Sequence, residues 1–316
     1  MYLNAQSIIR KMNELRVVVD LKKPDLIALT ETWTNDDIDD NYVKIDGYEL
    51  IEREDRVDTL RGRGGGILVY TRKGICAWRE EVRGDLCQCV CVRLRGRSHD
   101  IGIYVVYRSP NSSIANDEML CSLMKELRGN FVMVGDFNYP GIRWTTGGSD
   151  AKSRAFYEIL IEKGLTQHVE IPTHINGNIL DLLISSDEEM VQCVDVEGRL
   201  GKSDHEMIVA TIGFNPIMSH KNEFTRNYRK ANFTEMRGRA SQIDWARAFD
   251  GRTVEEMWDY MKNSLSELVE EFVPLTKKEW ESSSLDGFGG QTCCQRKKEG
   301  LGQMEENKEG GRKKCL

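Results

Sequence analysis

Short apolar runs separated by polar clusters fill the first two thirds of the chain. Residues 26–30, 48–51, 66–70, 87–94, 100–107, 130–134, 179–184 and 206–210 each have the length and the Val, Ile and Leu content of a buried strand. Helical spacing is confined to a few stretches. One is 7–23, where Ile8, Met12, Leu15 and Val19 recur and Ser7 stands where an N-cap belongs. The others are 115–127 and 152–164, the latter closed by Gly164. Strands interleaved with a few long helices predict two packed mixed sheets flanked by helices, a four-layer α/β sandwich over residues 1–215. Residues 216–280 read as a partly helical linker, with Trp245, Phe249, Met257, Leu265 and Leu268 as candidate buried positions. In 281–316, Gly, Ser, Lys and Glu replace the aliphatic residues, and such a composition predicts a disordered tail.

Composition narrows the class without naming the chemistry. A chain of 316 residues with 40% hydrophobic content has material for one large domain and an appendage. The formal net charge of -7 is uneven, because residues 291–316 are net basic and the preceding chain carries the acidic excess. A cation site is itself acidic, so this balance neither supports nor excludes a nucleic-acid substrate. The nine cysteines form no CxxC pair and no zinc-like spacing, and Cys87, Cys89 and Cys91 alternate on one face of a strand. They read as reduced, buried thiols of an intracellular protein. No secretory signal is visible, and no apolar run has the length of a membrane span.

The candidate chemistry lies at the ends of the apolar runs. Gly135-Asp136-Phe137-Asn138 closes one of them, and Ser203-Asp204-His205 opens another. Asp136 and Asn138 flank an aromatic residue, so both can face one side of the strand end, although a plain turn has the same composition. Glu31 ends the 26–30 run, as a solvated strand end also would. Asp181 lies within an apolar run and needs a partner; His205 is one candidate, a backbone amide the other. Oxygen-rich mouths suit Mg²⁺, and an Asp-His pair suits proton transfer or phosphate contact. The glycines of 62–66 precede a strand and lack a following Gly-Lys-Ser/Thr, so they read as a tight turn with Arg61 and Arg63 near substrate. Tyr107-Arg108-Ser109-Pro110-Asn111 is either an ordinary proline turn or a phenol and a guanidinium beside a phosphodiester.

In order along the chain, these residues resemble the endonuclease/exonuclease/phosphatase superfamily. They are closer to the endonuclease domain of LINE-type non-LTR retrotransposons, related to apurinic endonucleases. The resemblance covers residues 2 to about 213. It rests on Asn4-Ala5-Gln6-Ser7-Ile8, Leu29-Thr30-Glu31-Thr32-Trp33, Gly64-Gly65-Gly66-Ile67, Tyr107 to Asn111, Gly135 to Asn138, Leu165 to Val169, Ile171-Pro172-Thr173, Leu180-Asp181-Leu182 and Ser203-Asp204-His205. It implies a Mg²⁺ ion, with Mn²⁺ as the alternative, held mainly by Glu31 with help from Asn4 and Asp204. It implies that Asp136 activates the attacking water and that Asn138 positions the water or the phosphate. Tyr107 and Thr173 would contact the scissile phosphate, with Arg108, Asn111 and Ser203 on the DNA side. His205, oriented by Asp181, would stabilise phosphoryl charge or transfer a proton.

The implied activity is nicking of DNA to leave a 3′-hydroxyl, in the nucleus, with no membrane and no obligate protein partner. Apurinic endonucleases carry an Asp two residues after the first-strand Asn. Gln6 stands there in this sequence, as in retrotransposon relatives, which leans toward a nickase. Two departures set further expectations. Only Met1-Tyr2-Leu3 precede Asn4 where the family has an apolar run, so the first strand is expected to be short and its hold on Asn4 weak. No polymerase-like sequence follows, and residues 285–295 read as a frameshifted basic linker. The alternatives are a catalytically impaired or domesticated nucleic-acid-binding remnant, and a phosphoesterase of the same superfamily acting on a phosphoinositide or a nucleotide.

Overall fold

The computed structural model describes residues 1–55, 64–82, 88–218 and 224–277. Arg61, Arg63, Cys87 and the 281–316 tail lie outside them. In chain order the strands of the first unit are β1 (Tyr2–Asn4), β2 (Leu26–Thr30), β3 (Tyr48–Glu54), β4 (Ile67–Arg72), β5 (Ala77–Glu80), β6 (Cys89–Leu94), β7 (Ile101–Tyr107), β8 (Phe131–Asp136), β9 (Thr166–Gln167), β10 (Asp181–Ser185), β11 (Val191–Arg199) and β12 (Glu206–Ile212). Its helices are α1 (Met12–Lys22), α2 (Asp40–Val43), α3 (Ile114–Glu126) and α4 (Arg154–Glu162). One six-stranded sheet runs β11-β12-β1-β2-β4-β3 and the other β5-β6-β7-β8-β10-β9. The β1/β2 and β7/β8 pairs are parallel and the remaining neighbours antiparallel, so both sheets are mixed.

Three apolar clusters define the layers. Tyr2, Ala28, Val69, Val92, Ile103, Val105, Val134 and Ile208 pack in one cluster drawn from both sheets. Leu15 and Val19 of α1 cover Leu3, Ile27, Leu29 and Leu68 on the outer face of the first sheet. Leu120 and Met124 of α3 and Phe156 and Leu160 of α4 cover Tyr104, Val106, Met133 and Ile184 of the second. The order helix, sheet, sheet, helix is the expected four-layer sandwich. It explains why β7 and β8 are buried along their whole length: a strand covered on both faces reads as a continuous apolar run.

The first strand corrects one expectation. β1 has three residues, yet it pairs with β2 on one side and β12 on the other, and Asn4 is fully buried. Its hold on Asn4 is firm, since the chain beyond it is tied down too. Ala5 donates its amide to Thr30 O (2.8 Å), Ser7 to Glu31 O (2.8 Å) and Ile8 to Thr32 O (3.0 Å). Those ties overturn a second expectation. Ser7 does not cap a helix, because its backbone is left-handed at φ 74° and its amide is spent on Glu31; α1 starts five residues later. The edge strands β5, β9 and β11 were not expected. β11 was readable, since Val194 and Val196, which pack against the inner cluster, alternate with Asp195 and Glu197.

The second unit, His220–Leu285, has α5 (Phe233–Ala240), α6 (Trp245–Phe249) and α7 (Val254–Phe272), with β13 (Phe224–Arg226) antiparallel to β14 (Leu275–Lys277). Thr253 and Glu256 form a capping box that starts α7. Of the five residues expected to be buried, only Leu268 is; Trp245, Phe249 and Met257 are half-buried and Leu265 is exposed. So short a unit has too little interior for all of them. No helix among the described residues is long and apolar enough to cross a membrane.

Gly135 shows how tightly the second sheet is closed beneath Asp136. A Cβ there would collide with the Val106 carbonyl oxygen of the neighbouring strand. Gly135→Ala is expected to destabilise the protein by about 1–3 kcal/mol, as overpacking does. Gly198→Ala, where a Cβ meets open space, is expected to stay within about 0.5 kcal/mol. Denaturant midpoints of the two variants check this.

Candidate active site

The mouths of β1, β2, β8 and β10 and the turn before β12 converge at one place. Asp136, at the end of β8, is paired across the ladder with Asp181, at the start of β10. The ligand atoms of Asp136, Asp181 and His205 all lie within 4.8 Å of one another, and all three residues are buried. His205 Nδ1 bonds Asp181 Oδ2 at 2.7 Å, which places the proton on Nδ1 and leaves Nε2 3.9 Å from Asp136 Oδ2. Asp181 is therefore oriented toward His205, and the backbone-amide alternative is not what is found. Burial alone would lower the His205 pKa. The hydrogen bond and charge of Asp181, with Asp136 and Glu31, outweigh it and raise the imidazole to about 9. Burial, reinforced by the charge of Asp181, raises Asp136 well above the usual carboxylate range.

Asn4 links the two walls of the site. Its Nδ2 donates to Asp136 Oδ2 (2.9 Å) and to Glu31 Oε1 (3.1 Å), while its Oδ1 accepts from the Gln6 amide (3.1 Å). The resemblance implied Asn4 among the metal ligands; here its amide nitrogen faces the carboxylates and its oxygen is turned to Gln6. Glu31 also accepts from Trp33 Nε1 at 3.3 Å and from the Tyr107 phenol. Tyr107 is pushed above its usual range by burial, then by the charges of Glu31 and Asp136. Asp204 is half-buried; its amide donates to Gln6 Oε1 (2.9 Å) and its Oδ2 accepts from Gln6 Nε2 (3.3 Å). Lys11 Nζ ties down the same loop by donating to Ala5 O (2.6 Å) and Gln6 O (3.2 Å). Gln6, Lys11 and Trp33 were not singled out for the site, although Gln6 and Trp33 lie within the same short motifs as Asn4 and Glu31.

Three residues expected to face DNA or phosphate are built into the scaffold instead. Arg108 is 1% exposed. Its guanidinium makes a bidentate pair with Asp117 (2.7 Å to each oxygen), donates to Phe137 O and Asn138 O, and stacks 4.0 Å over the Tyr139 ring. It clamps the loop that carries Asn138, whose Nδ2 returns a bond to Arg108 O at 3.1 Å. Ser203 is buried and donates its hydroxyl to Asn4 O (2.8 Å). Thr173 is fully buried and its Oγ1 accepts the amides of Leu180 (3.1 Å) and Asp181 (3.0 Å). Buried backbone groups need such partners, and these side chains are used to supply them. Asn111 remains exposed on its turn, and Asn138 is half-buried at the mouth. His174, not expected, lies with its ring 4.8 Å from that of His205.

The donor set suits a hard divalent cation. Glu31 and Asp204 offer carboxylate oxygens, and Asp136 Oδ1 is buried without a hydrogen-bond partner. Five residues around this centre, Gln6, Ser7, Glu31, Trp33 and Asn138, have positive φ, a conformation that costs about 1 kcal/mol or more per non-glycine residue and gathers at functional sites.

Residues 101–209, which hold Tyr107, Asp136, Asn138, Asp181, Asp204 and His205, match the family model of endonuclease-reverse transcriptase. This is the endonuclease/exonuclease/phosphatase fold. The endonuclease domain of TRAS1, a telomere-specific non-LTR retrotransposon, is similar over 67% of this chain and 95% of its own, at 18% identity and a TM-score of 0.52. The 3′ phosphatase NExo from Neisseria, solved with a product DNA hairpin, is similar over 67% and 97%, at 14% identity and 0.51. The catalytic domain of Xenopus laevis APE2 is similar over 70% and 93%, at 15% identity and 0.51. No curated protein sequence matches the chain. At these identities the structural likeness establishes the endonuclease/exonuclease/phosphatase fold.

Two outcomes follow from this geometry. His205 is raised from 6.5 to about 9 on folding, so its contribution to stability is complete below about pH 6.5 and is lost as pH rises through about 9. Denaturation of the metal-free protein is expected to show that decline, and His205→Gln to flatten it. Arg108→Met takes the guanidinium from Asp117 and the donors from the Phe137 and Asn138 carbonyls, and is expected to cost about 1–3 kcal/mol in the same measurement. A DNA-facing arginine would leave stability unchanged.

Proposed function

We propose that the first unit is a Mg²⁺-dependent endonuclease that nicks one strand of DNA and leaves a 3′-hydroxyl. The observation that carries this reading is Asp136: a buried carboxylate with one oxygen held by Asn4 and the other without a partner, beside a histidine raised by its own aspartate. Burial makes the Asp136 carboxylate more basic than an ordinary aspartate, so in its ionised form it accepts a proton more readily. Asp136 takes the proton of the attacking water as the new P–O bond forms; the P–O3′ bond breaks, the phosphate stays on the 5′ side, and the departing O3′ takes a proton from solvent water to become the 3′-hydroxyl. Asn138, clamped by Arg108, positions the water or the phosphate. His205 stays protonated below about pH 9 and its Nε2–H offers positive charge to the phosphoryl oxygens. Glu31 and Asp204 would hold the ion, Mg²⁺ or Mn²⁺, whose part is to neutralise charge developing on the phosphate. Tyr107 stays protonated and donates at the same edge, with Asn111 on the exposed turn beside it.

The family match over 101–209 and the DNA-related solved structures of the same fold support a nucleic-acid substrate, and with it a nuclear setting. The catalytically impaired alternative rested on the short first strand, and the bonds Asn4 makes speak against it.

Supercoiled plasmid is the test substrate. The wild type is expected to convert it to the nicked circle with Mg²⁺ and not with EDTA, and His205→Ala to lose about two to three orders of magnitude in rate, as loss of a donor to the phosphoryl oxygens does. Equal nicking by wild type and variant would sink the proposal.

A further inference from the structure

Asp181 reaches His205 with one oxygen, Oδ2, and its other oxygen has a buried partner on the opposite sheet. Tyr2 Oη, on β1, donates to Asp181 Oδ1 at 2.8 Å. The same phenol lies 2.8 Å from Thr30 Oγ1. A phenol has one proton, and this one goes to Asp181, so the Thr30 hydroxyl is the donor to Tyr2. The result is a one-way chain, Thr30 to Tyr2 to Asp181, with His205 Nδ1–H meeting the same carboxylate from the other side at 2.7 Å. Each donor polarises the next, and all four residues are buried, Tyr2 to 2% exposure. Burial, then the charges of Asp181 and Asp136, hold the phenol well above its ordinary range, so it remains a donor.

We propose that Tyr2 is a positioning residue for the hydrolytic step, acting through Asp181 on the orientation of His205. This rests on the reading of His205 given under Proposed function. The ring of Tyr2 packs in the apolar cluster shared by the two sheets, and a phenylalanine would fill that space equally well. The hydroxyl is what the packing does not need. Without it, Asp181 Oδ1 is a buried acceptor with no donor. The carboxylate relieves this by turning, which loosens its bond to His205. Tyr70 is a natural control, since it is equally buried but its hydroxyl donates to Val43 O (2.9 Å), away from the site.

The experiment compares wild type, Tyr2→Phe and Tyr70→Phe in Mg²⁺-dependent plasmid nicking, and records the imidazole N–H signals of isotope-labelled histidine in each metal-free protein. Tyr2→Phe is expected to lower kcat by about tenfold or more with KM unchanged and to move or broaden the low-field Nδ1–H signal of His205. Tyr70→Phe is expected to change stability alone. An unchanged kcat and an unchanged His205 signal in Tyr2→Phe overturn the proposal, even if the variant is less stable. If the wild type does not nick, the endonuclease reading fails, and the histidine signal by itself decides whether Tyr2 positions His205.

Discussion

Asp136, Asp181 and His205 are buried within reach of one another, and the surrounding structure is arranged to make that tolerable. An isolated buried charge is prohibitively unstable, so each group needs donors or an opposite charge close by. Neither sheet can supply them alone. Asp136 and Asp181 are neighbours on the second sheet, and like charges on one ladder repel. The relief comes from the first sheet, where Asn4 donates to Asp136 and Tyr2 to Asp181, and from the turn before β12, which brings His205 between them. β1 lies between β12 and β2, and from there two alternate residues of one short strand, Tyr2 and Asn4, reach both carboxylates on the other sheet.

The same demand explains the backbone around the site. Donors at a strand mouth must point inward just where the chain turns outward, and the left-handed conformations of Gln6, Ser7, Glu31, Trp33 and Asn138 are how the chain does both. Such residues persist only when their surroundings fix them. Ser7 is fixed by its amide on Glu31 O, and Asn138 by the Arg108 clamp. Trp33 is held through its amide on Gly65 O, where glycines with positive φ supply a turn that other residues would strain. Under the proposed function, rigidity at these points would serve the chemistry, because a phosphoester site acts mostly by holding groups where charge develops.

The layers were legible in the sequence because the sheets are covered on both faces, so β2, β4, β7, β8 and β10 appear as unbroken apolar runs. The edge strands were harder. β9 has two residues and β5 four, too few to show a period. The ends of elements were also obscured wherever the backbone was committed to something other than the element itself, as at Ser7. The members of the site could be found from strand-end polarity and from the resemblance, and the structure does bring Asn4, Glu31, Asp136, Asp181, Asp204 and His205 together. Their partners could not be found in that way. Tyr2 reads as a core tyrosine, and nothing in its neighbours says that its hydroxyl meets a residue 179 positions away.

Arg108, Ser203 and Thr173 show why a motif does not sort its own residues. Each stands beside a residue of the site, and each has a side chain suited to phosphate. Proximity alone therefore favours a contact with substrate. Burial decides otherwise, because a loop that carries a catalytic side chain at a strand mouth has unpaired backbone groups that water cannot serve, and the nearest polar side chain is used to serve them. Arg108 meets the carbonyls of Phe137 and Asn138, Ser203 that of Asn4, and Thr173 the amides of Leu180 and Asp181. Among the polar side chains of this mouth, Glu31, Asn111, Asn138, His174 and Asp204 remain exposed or half-buried after these claims are met.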